Sequence, residues 1–162
     1  VSKEGAGLAT ATGSPRIIQR DEQVRAARFA NLLLHVTGDL RYQALSTAAM
    51  RYVATPEIAR DTPTFGPLIA DGELARDPLR VTIVGPRTDP RANALHRAAL
   101  RLPTAYKRVE WLEPNSPRGA YDLRLPKTRQ PVAIVCVAGR CSEPLVDHGD
   151  IGPMAVTLQS GS

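Results

Sequence analysis

The stretch Leu79–Leu102, LRVTIVGPRTDPRANALHRAALRL, constrains the fold more than any other part of the chain. Leu79, Val81 and Ile83 alternate with Arg80 and Thr82, which is strand periodicity with a β-branched bias. Gly85-Pro86 ends that strand, because proline cannot continue a ladder and glycine permits a sharp exit. Asp89 then suits a helix N-cap, and Pro90 suits the first helical position. Leu95, Ala98, Ala99 and Leu102 recur at helical spacing, with Arg97 and Arg101 on another face, and Pro103 closes the segment. Strand, cap and helix therefore follow one another without a gap. A second strand is expected at Lys107–Leu112, where Val109 and Trp111 share a face. Strand, helix and strand in so short a span predict a parallel pair, with Ala92–Leu102 packed across one face.

Upstream of this unit the periodicity is helical. Gln19–Val36 carries an apolar stripe of Ala26, Phe29, Ala30, Leu33 and Val36. Thr37-Gly38-Asp39 ends that helix through Gly38 and offers Asp39 as the next cap. Leu40–Val53 carries a second stripe, Tyr42, Leu45, Ala49, Tyr52 and Val53, so the two helices form an antiparallel hairpin. Pro63 opens a third helix, with Phe65, Leu68, Ile69 and Ala75 on its apolar face, ending near Asp77-Pro78. Downstream, Val132–Val137 (VAIVCV) is apolar on both faces, as a central strand buried on both sides requires. Between them, Glu113–Gln130 holds Pro114, Pro117, Gly119 and Pro126 and has no usable period.

The expected class is α/β or α+β: a helical hairpin and a third helix, then a small β-α-β-β layer containing a parallel strand pair. The expected organisation is a linker at 1–18, a helical segment at 19–78, an α/β unit at 79–148 and a tail at 149–162. In that tail MAVTLQ reads as a short edge strand and SGS as frayed. The linker begins on Val1, so the chain reads as a piece of a longer polypeptide.

At 162 residues, with 43% hydrophobic and 23% charged residues, the chain is globular in composition. Aromatic residues make up 4%, so the core rests on Leu, Val, Ile and Ala. The net charge of +5 is carried largely by arginine; its plainest meaning is a solvated surface. Arg97, Arg101, Lys107 and Arg108 form a basic strip in sequence, but the aromatics beside it, Trp111 among them, are too few for a stacking platform, so nucleic acid is disfavoured. No apolar run approaches the ~20 residues that span a bilayer, and no signal core is visible. Cytoplasm and periplasm both remain open.

Candidate chemistry is sparse. Cys136 and Cys141, separated by Val137-Ala138-Gly139-Arg140, are the sole candidate site residues, and packed, reduced thiols are the preferred reading. On that reading Cys141→Ser costs less than ~1 kcal/mol. A disulfide across the turn is the second reading, a metal site drawing on Asp147 and His148 the third, and catalysis the last, since the spacing is not that of a Cys-x-x-Cys redox pair. The strand-to-helix loop Val84–Asp89 has one glycine and an acidic cap, which suits an ordinary turn better than a phosphate site. His35, His96 and His148 are scattered, and His35 and His96 fall toward polar helix flanks. No catalytic triad or carboxylate pair is discernible, and neither cofactor nor metal is expected.

Three segments carry a resemblance: HVTGDLRYQALSTAAMRYVATP, FGPLIADGELARDPLRVTIVG and VAIVCVAGRCSEPLVD. Together they resemble the C-terminal part of thioredoxin-domain proteins of the spermatogenesis-associated kind, over roughly Gln19–His148. Val-Cys-x-x-x-x-Cys-x-x-Pro, from Cys136 to Pro144, is the most specific element. The resemblance implies a parent with an N-terminal thioredoxin-like domain and an (α/α) toroid similar to six-hairpin glycosidases. Where many members carry Pro-Ser-Gly-Asn ahead of the helix, this chain has Arg20-Asp21-Glu22-Gln23, and a sugar-pocket role is not carried over. The thioredoxin dithiol lies outside this chain. The implied function is a non-catalytic accessory domain, with a pocket-sharing fragment of a carbohydrate or thiol-redox enzyme as the alternative and a nucleic-acid module as the weaker one. Partners expected are upstream domains of the parent and a second copy through the apolar helix faces. Neither glycosidase nor thiol-oxidoreductase turnover is expected from this chain alone.

Overall fold

The computed structural model describes residues 20–60, 65–113 and 130–160. The linker expected at 1–18, the start of the third helix at Pro63, most of the Pro-rich connection and the last two residues of the frayed end lie outside the described residues. Two compact units divide at Leu74/Ala75.

The first unit is helical. It contains α1 (Arg20–Thr37), α2 (Leu40–Val53), a single turn α3 (Pro56–Ala59) and α4 (Phe65–Leu74). Gly38 separates α1 from α2 at φ +72°, and its amide donates to Leu34 O at 2.7 Å. That left-handed residue lets the chain leave one helix and start the next at once. Asp39 then caps α2, accepting from the Arg41 amide at 2.9 Å. Val24 near the start of α1 packs with Val53 at the end of α2 and with Ala70 of α4, so α1 and α2 run antiparallel.

Ala30 of α1 and Ala49 and Val53 of α2 are buried as the stripes predict, but the rest of the α1 face and the α4 face differ from expectation. In α1 the buried residues are Val24, Ala27, Ala30 and Asn31, while Phe29 and Val36 are exposed. In α4 they are Ala70 and Glu73, while Phe65, Leu68 and Ile69 face outward. An ion pair explains the rotation of α4. Arg28 of α1 grips Glu73 with two bonds of 2.7 Å, and Asn31 Nδ2 donates to the Glu73 carbonyl at 3.0 Å. The Glu73 side chain is 5% exposed. A buried carboxylate needs both lone-pair sets occupied, and a bidentate arginine supplies that.

The second unit is α/β. It holds β1 (Leu79–Val84), α5 (Pro90–Arg101), β2 (Lys107–Leu112), β3 (Val132–Val137), β4 (Arg140–Cys141), a 3₁₀ turn (His148–Asp150) and α6 (Ile151–Ser160). The strand order is β2-β1-β3-β4. β1 and β2 are parallel, as the strand–helix–strand order predicts, with Val81 opposite Val109. β3 is antiparallel to β1, with Val81 opposite Val135. The sheet is therefore mixed, and β1 and β3 lie inside it.

One face carries Leu79, Val81, Ile83, Ala133 and Val135, covered by Ala92, Leu95 and Ala99 of α5 and by Ile151 and Ala155 of α6. Full burial of a side chain such as Ile83, Leu95 or Ile151 stabilises by about 1.5–3 kcal/mol each. Here the expected edge strand at MAVTLQ is replaced by α6. The alternation of that stretch hides a helical set, Ile151, Met154, Ala155 and Leu158, which meets the core as i, i+3, i+4 and i+7. The opposite face brings Arg80, Thr82 and Val84 beside Arg108, Glu110 and Leu112 on one side and Cys136, Ile134 and Val132 on the other. No helix among the described residues is long and apolar enough to cross a membrane.

Candidate functional site

The two cysteines lie on that second face, and they are joined. β3 turns into β4 through Ala138 at φ +48° and Gly139 at φ +78°, two successive left-handed residues as a type I′ hairpin requires. The turn sets the register Val137 opposite Arg140 and Cys136 opposite Cys141. One step on, Ser142 N donates to Val135 O at 2.8 Å, and Ser142 Oγ accepts from Val135 N at 3.1 Å. Cys136 and Cys141 thus occupy the non-hydrogen-bonded pair between two bonded ones, where side chains approach closest. Their Cα atoms are 4.1 Å apart and a disulfide links them.

The preferred reading of reduced, separately packed thiols is therefore corrected. The physical reason is the two-residue turn, which sequence spacing permits without requiring. Closing a loop of this length contributes about 2 kcal/mol on the chain-entropy account, above the small cost expected for Cys141→Ser.

The two sulfurs have unequal surroundings. Cys136 is 4% exposed, inside the sheet. Cys141 stands on the outer strand and is exposed. Across the sheet from Cys141, Arg80 of β1 pairs in register with Cys136, and its Nη2 donates to Cys136 Sγ at 3.6 Å. Arg108 of β2 is next in the same row, paired with Glu110 on its own strand. The row Arg108–Arg80–Cys136–Cys141 thus crosses all four strands. Arg80 is the member that sequence reasoning missed: it read as the polar half of an alternating strand, and only the register of β3 against β1 shows its partner.

A second cluster stands at the C-terminal end of the parallel pair. Trp111 Nε1 donates to Gly85 O at 2.8 Å, tying β2 to the β1 exit. The Arg87 guanidinium lies 5.0 Å from the Trp111 ring centre, and Arg87 pairs with Glu113 at 3.1 Å. His96 of α5 packs its ring 4.7 Å from that of Trp111, half-buried instead of lying on a polar flank. Burial, and then the positive charge of Arg87, hold the His96 pKa below the ordinary histidine range. Asn93 and Asp89 complete the turn: Asn93 Nδ2 donates to Arg87 O at 2.8 Å, and Asp89 accepts from Arg91 N at 2.8 Å. The helix N-terminus is thus occupied by its own carboxylate, as an ordinary capped turn is.

The basic strip does not come together. Lys107 Nζ donates to Leu100 O and Leu102 O at 2.8 and 2.6 Å, capping the end of α5, while Arg108 points to the other face of the sheet. Asp147 accepts from Gly149 N and starts the 3₁₀ turn, with His148 Nδ1 3.6 Å away. Among the described residues no group of three or more His, Cys, Asp or Glu side chains is placed to hold a metal ion. In comparisons with family models, curated proteins and solved structures, nothing matches this chain.

Proposed function

We propose that this chain is a non-catalytic accessory domain, the C-terminal portion of a thioredoxin-domain protein, which works by binding protein surfaces through its helical unit. The observation that carries the reading is the outward placement of large apolar side chains. Phe29, Leu40, Leu45, Phe65, Leu68 and Ile69 are each more than half exposed, and Phe65 reaches 78%. Single exposed apolar residues are ordinary on a monomer, but six on three helices of one small unit suit contact with another protein. The same helices turn Glu73, held by the half-buried Arg28, and small residues inward, so the large side chains are not needed for the unit's own core. The family resemblance supports the same reading, because its helices belong to a ring in which each hairpin needs a neighbour.

The test is sedimentation of the full chain over a range of concentrations, beside the triple variant Phe65→Ser, Leu68→Gln, Ile69→Gln. The expected result is a mass above the monomer for the unaltered chain and a monomer for the variant, with helical content unchanged. Generic glycosides are expected to survive incubation with either. A concentration-independent monomer for the unaltered chain, or measurable glycoside turnover, would falsify the reading.

A further inference from the structure

We propose that Cys136–Cys141 is a thiol–disulfide exchange site, attacked at Cys141 Sγ, with Cys136 leaving as a thiolate held by Arg80. This goes beyond a binding role and is independent of it.

Three features of the hairpin assign the direction of attack. An incoming thiolate must approach a sulfur from outside, and Cys141 is the exposed member while Cys136 is enclosed by the sheet. The leaving sulfur must accept a full negative charge, and Arg80 Nη2 already donates to Cys136 Sγ at 3.6 Å. The Arg80 Nε is buried without a hydrogen-bond partner, so the guanidinium gains from an anion at that place more than it does from a neutral sulfur. A disulfide with one open sulfur and one sulfur beside a cation is polarised for exchange; a purely structural bridge has no use for either asymmetry.

The exchange balances as follows. A thiolate R–S⁻ bonds to Cys141 Sγ, the Cys136–Cys141 bond breaks, and its electron pair stays on Cys136 as a thiolate beside Arg80. A second thiolate then attacks the R sulfur of the mixed disulfide, R–S–S–R departs, and Cys141 is released as a thiolate. Two electrons pass from two external thiolates to one protein disulfide, once per chain. The hairpin outlasts the step, because Ser142 keeps both of its bonds to Val135.

The test uses the full chain, folded, with reduced glutathione as a small monothiol and reduced thioredoxin as a protein dithiol. Mixed disulfides are trapped by alkylation and mapped by mass spectrometry. The expected result is a glutathione adduct on Cys141 with the alkyl group on Cys136. Arg80→Gln should slow the first step about five-fold at every pH, because the leaving thiol's pKa sets the rate and the attacking thiol sets its pH slope, while Arg80→Lys keeps most of the rate. Faster reaction with thioredoxin at equal thiol would support exchange with a protein dithiol, and faster reaction with glutathione would support exchange with the small-thiol pool. An adduct on Cys136, an Arg80→Gln rate equal to that of the unaltered chain, or reduction only after unfolding would each overturn the proposal. Should Arg80→Gln fail to fold, the adduct map on the unaltered chain decides alone.

Discussion

Arg28→Met removes the cation from the most enclosed ion pair among the described residues of the helical unit, and its cost can be worked from the geometry. Glu73 keeps its place in α4 with its side chain 5% exposed, and it loses two bonds of 2.7 Å. Breaking a fully buried pair costs about 3–5 kcal/mol, because an uncompensated charge stays in a low-dielectric site. Arg28 is 35% exposed, however, so water already screens its end of the pair and can reach part of the vacated space. The discounted cost is about 2 kcal/mol. Urea unfolding followed by far-ultraviolet circular dichroism measures it. The partner experiment is the double substitution Arg28→Met, Glu73→Leu, which leaves no charge inside and should recover most of the loss. A single variant within about 0.5 kcal/mol of the unaltered chain would refute the claim that this pair orients α4. So would a double variant no better than the single one.

His96 gives a pH prediction with a definite sign. Burial against Trp111 and the nearby Arg87 lower its pKa in the folded chain, so the unfolded chain takes up the proton first. The contribution of His96 to stability is complete above the unfolded value of about 6.5 and falls as pH drops below it. Stability measured across that window should decline toward acid, and His96→Gln should flatten the decline; an equal slope in both would count against the packing described. Gly85→Ala tests the β1 exit. A Cβ there would lie 2.9 Å from Pro131 Cβ and 3.3 Å from its Cα, so backbone must move, at a cost of about 1–3 kcal/mol. The Trp111 bond to Gly85 O should loosen with it, and an unaltered unfolding midpoint and tryptophan emission would show that the contact is slack.

Some of this architecture was legible and some could not be. Leu79–Leu102 was readable because every local signal agrees: alternation in β1, Asp89 at the cap, Pro90 at the first helical position. The helical stripes misled because spacing rules reward large apolar side chains. Closely packed helices instead use small residues, here Ala27 and Ala70, and a polar core residue such as Glu73 looks like surface until its arginine is found. In α6, Ala155 in the core and Val156 on the surface make helix and strand patterns nearly equal in the short MAVTLQ run, and contact with β3 and α5 decides. For the candidate site, both cysteines and the short turn were in view, but the disulfide needed the hairpin register. Arg80 was beyond reach, since its partner Cys136 is 56 positions away and the pairing follows from strand direction.

The interior position of β1 also sets an order in time. Its parallel neighbour is 28 positions away, from Val81 to Val109, and its antiparallel neighbour pairs at a separation of 56, from Arg80 to Cys136. Neither ladder can form until a long stretch of chain has been closed, and that entropy is lost before the contacts repay it. The α1–α2 pair and the β3–β4 turn face no such delay, because their partners are adjacent in sequence. Helices and hairpin are thus expected to form on a faster clock than the sheet. Cys136 and Cys141 then meet while the face that later encloses Cys136 is still open to oxidant.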